Sequence, residues 1–447
     1  MIYIDPPYNT EASKNDGNAV ANDKEDIEAN KFIYRDKYSR NGWLNMLNER
    51  LIMARDLLKE DGVIFVSIDD IEQAYLKILM DQIFGEENFI ACMPYISNLK
   101  GRQANTNFAL THEYILCYSK SNSFEFQELE DKYATELMPQ IYKERNKKIF
   151  KDTYGYFILQ NRLENTNSKF NKQTRSNLYY PLYIYKDRNE YRVDVVKTEK
   201  TIAEIFPKKI KNIYDGVWRW EKEKVVKDNH DLYVKFEANE FTIWTKKRNN
   251  SWTPKSIIMG PKLNTKNGND LLENICENIE LDENTKFNTC KNIDLINYLI
   301  NIKLNNKEAR ILDFFAGSGT TGHAILEMNK KDGGKRQFTL VTNDENNVGT
   351  KICYERLYRI NNGKGTDNST SFAWLKKNTP YKNNLDIFNI KYYKTELFDE
   401  TDSLDKIVEI YEKELKDFNV KINKNTDIST FYYDLLALKP IEKSEGK

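Results

Sequence analysis

The chain has 447 residues with 68 basic and 68 acidic side chains and a formal net charge of zero, so no bulk basicity announces a polyanionic partner. Five scattered cysteines without a CxxC pair and three distant histidines argue against a disulfide framework and a structural zinc site. No segment reaches the roughly 18 apolar residues of a membrane span, and no basic-then-apolar leader opens the chain, so a reduced cytoplasmic protein of two to four domains is expected, with no metal.

The first stretch, Ile2 to Asn9, is an apolar β-forming run that stops at Asp5-Pro6-Pro7-Tyr8. Two prolines cannot extend a ladder, because each lacks an N–H and fixes φ. A strand thus delivers a carboxylate, a stiff turn and an aromatic ring to one end of a sheet. That set suits the exocyclic amino group of a base, whose lone pair is delocalised into the ring. The Asp5 carboxylate and the Pro6 carbonyl can each accept one of its N–H bonds, favouring a pyramidal nitrogen with a free lone pair. Tyr8 offers a flipped-out base a face to stack on, worth about 1–3 kcal/mol. An ordinary strand-to-turn junction with a capping Asp is the plainer alternative.

Residues 9–40 are polar and read as a long loop, either a lid or plain disorder. Trp43, Leu44, Leu47, Leu51, Ala54, Leu57 and Leu58 are read as one face of a helix that Gly62 ends. Strand 62–68, a helix from Glu72 to Phe84 and strand 113–119 follow. Their alternation predicts a parallel sheet covered on both faces, with Asp69 and Asp70 capping the helix, ahead of the alternative that they touch a ligand.

From about 120 to 270 the pattern changes to short aromatic and β-branched runs, near 178–185, 191–196, 232–236 and 241–244. Residues 170–262 hold 20 Lys or Arg against 12 Asp or Glu, a local charge of about +8. Basic side chains among aromatics suit phosphate contact and base reading, with Lys246, Lys247 and Arg248 as the expected phosphate ligands. A solvated β-module is the bland alternative, and Trp218 and Trp220 fit core packing as well as base contact.

The sheet pattern resumes with a helix at 293–302 and a strand from Arg310. Asp313-Phe314-Phe315-Ala316-Gly317-Ser318-Gly319 then leads into a second helix, and strand 337–342 ends at Asn343-Asp344. This is a βαβ unit with a glycine-rich first turn, the usual seat of an adenosine-containing cofactor. Gly317, Gly319 and Gly322 also fit GxGxxG, so a nicotinamide- or flavin-dependent enzyme competes. The late position of the unit and the Asp-Pro-Pro-Tyr turn, which would then have no task, disfavour it. From Ser403 to about Phe418 an acidic-basic helix is expected.

Asp-Pro-Pro-Tyr first and Phe-Ala-Gly-Ser-Gly-Thr-Thr last resembles the permuted order of β-class amino-methyltransferases of DNA. The stretches 43–51, 112–116, 176–183, 216–220, 253–256 and 264–268 resemble the modification subunits of type III restriction–modification systems. The resemblance implies a Rossmann-like, doubly wound α/β methyltransferase sheet with an inserted mixed or β target-recognition domain. The implied boundaries are a catalytic half at 1–125, recognition at 126–270, a cofactor-binding half at 271–378 and a C-terminal region at 379–447.

It further implies that Asp5, Pro6, Pro7 and Tyr8 hold the target base. The turn opened by Asp313, with Phe314, Ala316, Gly317, Ser318 and Gly319, would line an S-adenosylmethionine site, and Lys291 would lie beside the methionine end. The family often has Lys-Pro where this chain has Lys291-Asn292, and where it has an acid for the ribose the nearest candidates here are Thr342, Asn343 and Asp344. Implied partners are double-stranded DNA, a second copy of the chain and a helicase-endonuclease restriction subunit. Asp before Pro-Pro-Tyr favours adenine N6 over cytosine N4. An oxidoreductase and a catalytically silent specificity subunit are the rivals from other classes. Relatives carry residues before the first strand, so a bare sheet face and poor activity of the isolated chain are expected.

Overall fold

The computed structural model describes residues 1–8, 40–101, 108–142, 148–187, 190–248, 251–277, 279, 290–303, 306–344, 347–390, 409–413 and 416. The long loop expected at 9–40 and most of the helix expected after Ser403 lie outside the described residues. The chain divides into two compact units. One comprises Met1–Leu129, Glu136–Ile141 and Thr253–Lys447; the other comprises Glu130–Thr135 and Tyr142–Trp252.

The first unit is a Rossmann-like α/β fold around a six-stranded sheet. Its strands are β1 (Ile2–Ile4), β2 (Val63–Ile68), β3 (Phe89–Tyr95), β4 (Glu113–Ser119), β5 (Arg310–Asp313) and β6 (Gln337–Leu340), in the order β6-β5-β1-β2-β4-β3. Strands β6, β5, β1 and β2 are parallel, with Ile2 opposite both Leu312 and Ile64. The purely parallel sheet expected from the alternation is not what forms. β4 runs antiparallel to both β2 and β3. β3, which the sequence pattern did not reveal, pairs with β4 in antiparallel register from Ala91 opposite Cys117 to Tyr95 opposite Glu113.

Helices α1 (Arg40–Leu57) and α2 (Gln73–Phe84) cover one face of this sheet. Trp43, Leu47, Leu51 and Ala54 recur at helical spacing and pack on Ile2, Ile4, Ile64 and Val66, whereas Leu57, expected on the same face, is exposed. Each such buried leucine, isoleucine or valine contributes about 1.5–3 kcal/mol. Where a bare face is expected at β1, Ile2 and Ile4 on one side and Tyr3 on the other are all buried. Asp69 does not cap α2. Its carboxylate accepts from the Ile71 N–H to close a turn, and the cap position is Glu72. Helices α3 (Thr265–Ile275), α4 (Ile293–Lys303), α5 (Thr320–Asp332) and α6 (Glu355–Asn362) complete the described frame. Among the described residues no helix is long and apolar enough to cross a membrane.

The second unit is mostly β. One sheet holds strands Ile149–Asp152, Gly155–Arg162, Leu232–Glu237 and Glu240–Lys247; another holds Leu182–Asp187, Glu190–Asp194 and Thr201–Ile205. Trp218 belongs to its core, fully buried, with its indole N–H on the Tyr180 carbonyl.

Candidate active site

β1 and β5 are parallel neighbours, so their carboxyl ends share one edge. β1 runs out into Asp5-Pro6-Pro7-Tyr8, and β5 runs out into Phe314–Gly319. Two turns some 300 residues apart in sequence are thereby brought to adjacent strands at the crevice where open α/β sheets bind ligands.

The base-side turn is held from behind and in front. Trp43 donates its indole N–H to the Pro7 carbonyl at 2.8 Å. In front lies a compact ionic cluster. The Lys291 ammonium is 3.2 Å from Asp5 Oδ1 and 2.5 Å from Glu113 Oε2, and it donates to the Tyr8 hydroxyl at 2.5 Å. The Tyr8 hydroxyl in turn donates to Glu113 Oε2 at 2.9 Å. The ammonium also lies over the Tyr8 ring, 4.8 Å from its centre.

Burial pushes the Asp5 carboxyl up, Lys291 pulls it down, and Glu113 pushes it up again. Burial works against the Lys291 charge, but Asp5 and Glu113 outweigh it and raise its pKa. The Tyr8 phenol is raised well above its ordinary value by burial and by the two carboxylates. One cation thus serves two carboxylates at the mouth of the turn.

Lys291 reaches this place through two close packings. Gly268 of α3 has no room for a Cβ, which would meet the carbonyls of Cys290 and Lys291 at 2.8 Å. Asn292, standing where proline is common in the family, is almost fully buried. Its amide donates to the carbonyls of Lys262 and Asn264, and its oxygen accepts from the Asp294 N–H at the start of α4. The side chain therefore supplies by hydrogen bonds the rigidity that a proline ring would give.

The second turn is built from buried donors. Asp313 accepts from the Thr321 hydroxyl and the Phe315 N–H, and burial pushes its carboxyl up to about 7. Gly317 and Gly319 adopt φ of 50° and 74°, a region that disfavours side chains, and a Cβ on Gly319 would come 2.9 Å from Cys353 Sγ. Ser318 and Thr320 are buried with Cys290, and the guanidinium of Arg356 donates to the Ser318 carbonyl and the Thr320 hydroxyl. Between Ala316 and Gly319 no side chain exceeds a serine, so a ligand can lie directly on backbone. Phe314 and Phe315 stand half-buried beside it, their rings 5.4 Å apart. Asp344 is exposed at the end of the β6 segment, and its carboxylate accepts from the N–H and hydroxyl of Thr350.

The sequence pattern missed Glu113, Trp43 and Arg356 as parts of these turns. Trp43 looked like one more apolar residue on a helical face, and Glu113 like the polar start of a strand. Arg356 follows Asp344 by a dozen residues, in a segment without a motif. In the second unit, Lys246 and Arg248 are not displayed for phosphate: both pair with Asp152 at 2.7 Å. The pairing of strands 149–152, 155–162 and 240–247 brings them together.

A family model described as DNA methylase, of the N6/N4 type, matches residues 1–361. The chain belongs to the DNA methylase family. The Type III restriction-modification enzyme EcoPI Mod subunit of Escherichia phage P1 is 33% identical over 396 residues, covering 80% of this chain and 56% of its own. The Type II methyltransferase M.KpnI of Klebsiella pneumoniae is 32% identical over 369 residues, covering 80% of this chain and 78% of its own. The StyLTI Mod subunit of Salmonella typhimurium is 27% identical over 426 residues, covering 86% and 58%. The chain thus spans a little over half the length of these Mod subunits. A solved structure, the M1.HpyAVI-SAM complex, overlaps 80% of this chain and 87% of its own at 13% identity, with a TM-score of 0.31. Membership in a DNA methylase family sets aside the nicotinamide-dependent reading of the glycine-rich turn.

Proposed function

We propose that the chain transfers a methyl group from S-adenosylmethionine to the N6 amino group of adenine at specific DNA sites, as the modification subunit of a type III restriction–modification system. The observation that carries this reading is the meeting of Asp5-Pro6-Pro7-Tyr8 and the 313–319 turn at the carboxyl ends of neighbouring parallel strands. The resemblance to Mod subunits supports the type III assignment, and with it a second copy and a helicase-endonuclease as partners. Asp5 in place of Ser favours adenine over cytosine N4.

The 313–319 turn fits the cofactor on two counts: its outer rim is backbone, and Phe314 beside it offers an aromatic edge. When bound, S-adenosylmethionine supplies an electrophilic methyl on a sulfonium, whose C–S bond pair returns to sulfur as the new C–N bond forms. The chain's own residues prepare the acceptor. Asp5 takes one N–H of the target amino group and the Pro6 carbonyl takes the other, which frees the nitrogen lone pair. The nitrogen gains positive charge as it attacks, next to a carboxylate pair with a single ammonium, so the site favours the charge that develops. The proton released afterwards leaves through Asp5 to water. Specific contacts to the duplex fall to the 130–252 unit, where exposed Lys151, Tyr154 and Tyr156 crown the hairpin of strands 149–152 and 155–162.

The test is Asp5→Ala. S-adenosylmethionine affinity by calorimetry should stay near that of the unaltered chain, while methyl transfer to unmethylated genomic DNA is abolished. A variant within about tenfold of the unaltered rate, a barrier change near 1.4 kcal/mol, would remove Asp5 from the centre of the mechanism. Methylation-sensitive sequencing of the product DNA separates N6-adenine from N4-cytosine.

A further inference from the structure

Resting on the methyl-transfer reading above, we infer that Glu113 is a positioning residue of the reaction, sharing with Asp5 the hold on Lys291 and Tyr8 so that the Asp5 carboxylate can turn to the target amino group. The topology places it there. β4 runs against its parallel neighbours, so its first residue, not its last, arrives at the edge where β1 ends. A parallel β4 would have carried Glu113 to the far edge of the sheet.

Asp5 and Glu113 share both partners, since Asp5 also bonds Tyr8 and Lys291, but the distances weight the hold towards Glu113. The Lys291 ammonium is 2.5 Å from Glu113 Oε2 and 3.2 Å from Asp5 Oδ1, so its shorter contact is to Glu113. The same Glu113 oxygen accepts the Tyr8 hydroxyl at 2.9 Å, which fixes the aromatic ring of the turn. The side chains of Lys291, Glu113 and Asp5 are only 11%, 16% and 23% exposed, so water replaces none of these partners cheaply.

A buried ammonium left with Asp5 alone would clamp it. The target amino group would then compete with a full charge for the oxygen it needs. With Glu113 present, Lys291 stays neutralised when Asp5 turns to the base, and the pocket keeps one surplus negative charge for the amino nitrogen as it becomes cationic. The groups facing Asp5 are Lys291, Glu113 of β4, Tyr8 of its own turn, Tyr3 of β1 and Asp313 at the end of β5, while Tyr95 of β3 faces Lys291. Of these, Glu113 is the carboxylate that touches Lys291 without belonging to either motif.

The experiment compares the unaltered chain, Glu113→Gln and Asp5→Ala with S-adenosylmethionine and unmethylated genomic DNA. Glu113→Gln keeps size and an acceptor but removes the charge. Its single-turnover rate should fall on the order of a hundredfold, the scale of a displaced reacting group. The acid limb of its pH–rate profile should also move to lower pH, because Asp5 loses a neighbouring negative charge and gains sole hold of Lys291. A merely structural defect would lower the rate at all pH values and leave the limb in place. Carboxyl NMR titration of Asp5, assigned by Asp5→Ala, reads the same coupling without turnover, and its midpoint should fall in Glu113→Gln. An unchanged midpoint, or an unchanged rate and limb, overturns the role of Glu113. No transfer by the unaltered chain overturns the methyl-transfer reading instead, and the titration still decides the coupling.

Discussion

Trp43 and Pro7 are joined by a buried hydrogen bond of 2.8 Å from the indole N–H to the prolyl carbonyl. The bond ties α1 to the turn that presents Asp5. It also takes the Pro7 carbonyl and not that of Pro6, which the mechanism assigns to the target amino group. Trp43→Phe keeps most of the apolar surface and deletes the donor. A buried carbonyl without its partner costs about 1–3 kcal/mol. The denaturant midpoint should fall accordingly, and methyl transfer should fall further than stability does. S-adenosylmethionine affinity should hold, because the cofactor turn follows a different strand. Equal activity in Trp43→Phe and the unaltered chain would mean that Pro6 and Pro7 hold the turn without help.

Asp313 gives the fold a pH dependence of unusual sign. Burial, partly offset by Thr321 and the Phe315 N–H, raises its carboxyl from 3.8 to about 7. The folded state then binds this proton more tightly than the unfolded state. Its contribution is full below pH 3.8 and is lost as pH rises through about 7. Asp313→Asn keeps the shape and removes the titration. Chemical denaturation across that window should show a shallower decline in the variant, by on the order of 4 kcal/mol. Parallel curves would show that Asp313 is ionised throughout.

Arg356 has no exposed surface and rests on neutral acceptors: the Ser318 carbonyl, the Thr320 hydroxyl and His323 Nδ1 at 3.2 Å. Burial and the neighbouring guanidinium hold His323 well below its ordinary pKa, so it accepts as a neutral ring. Among the described residues no carboxylate pairs with it; a cation so buried costs stability, whereas its donors shape the 318–320 backbone. Arg356→Met removes both effects. Stability should change by less than about 2 kcal/mol, because the two terms oppose. Cofactor affinity should drop roughly tenfold, about 1.4 kcal/mol. Calorimetry with S-adenosylmethionine beside thermal unfolding checks the split, and a variant with unchanged affinity removes Arg356 from the turn.

What the sequence announced and what it concealed divide along a physical line. Asp5-Pro6-Pro7-Tyr8 and the glycines at 317 and 319 were legible because local backbone chemistry demands those residue types in that order. α1 was legible because one-sided burial imposes a period, and β2 because burial on both faces leaves an unbroken apolar run. The direction of β4 was not, since a strand has the same alternation whichever way it runs. Glu113 was hidden for that reason: its task depends on which edge it reaches. Lys246 and Arg248 were misread for a related one. Local charge counts say that cations are present, but only pairing across strands says whether they are already neutralised.

That pairing yields a prediction opposite to the phosphate-contact expectation. Lys246 and Arg248 each lie 2.7 Å from an oxygen of Asp152, and Arg248 also donates to Asp231. The side chains of Lys246 and Asp152 are each only 10% exposed. Removing one partner of such a group leaves unbalanced charge in the interior, at a cost of about 3–5 kcal/mol. Arg248, opposed by partial burial and aided by Lys246, holds the Asp152 carboxyl well below the usual carboxylate range. The sign follows: this stabilisation is present above the unfolded value of 3.8 and is lost as pH falls below it. Asp152→Ala should therefore lower the stability of the second unit at neutral pH and blunt its acid sensitivity. Lys246→Met should lower stability too, yet leave the slope of log K against log salt for DNA binding unchanged in the folded protein. A slope smaller by about one for Lys246→Met would return this lysine to the DNA surface.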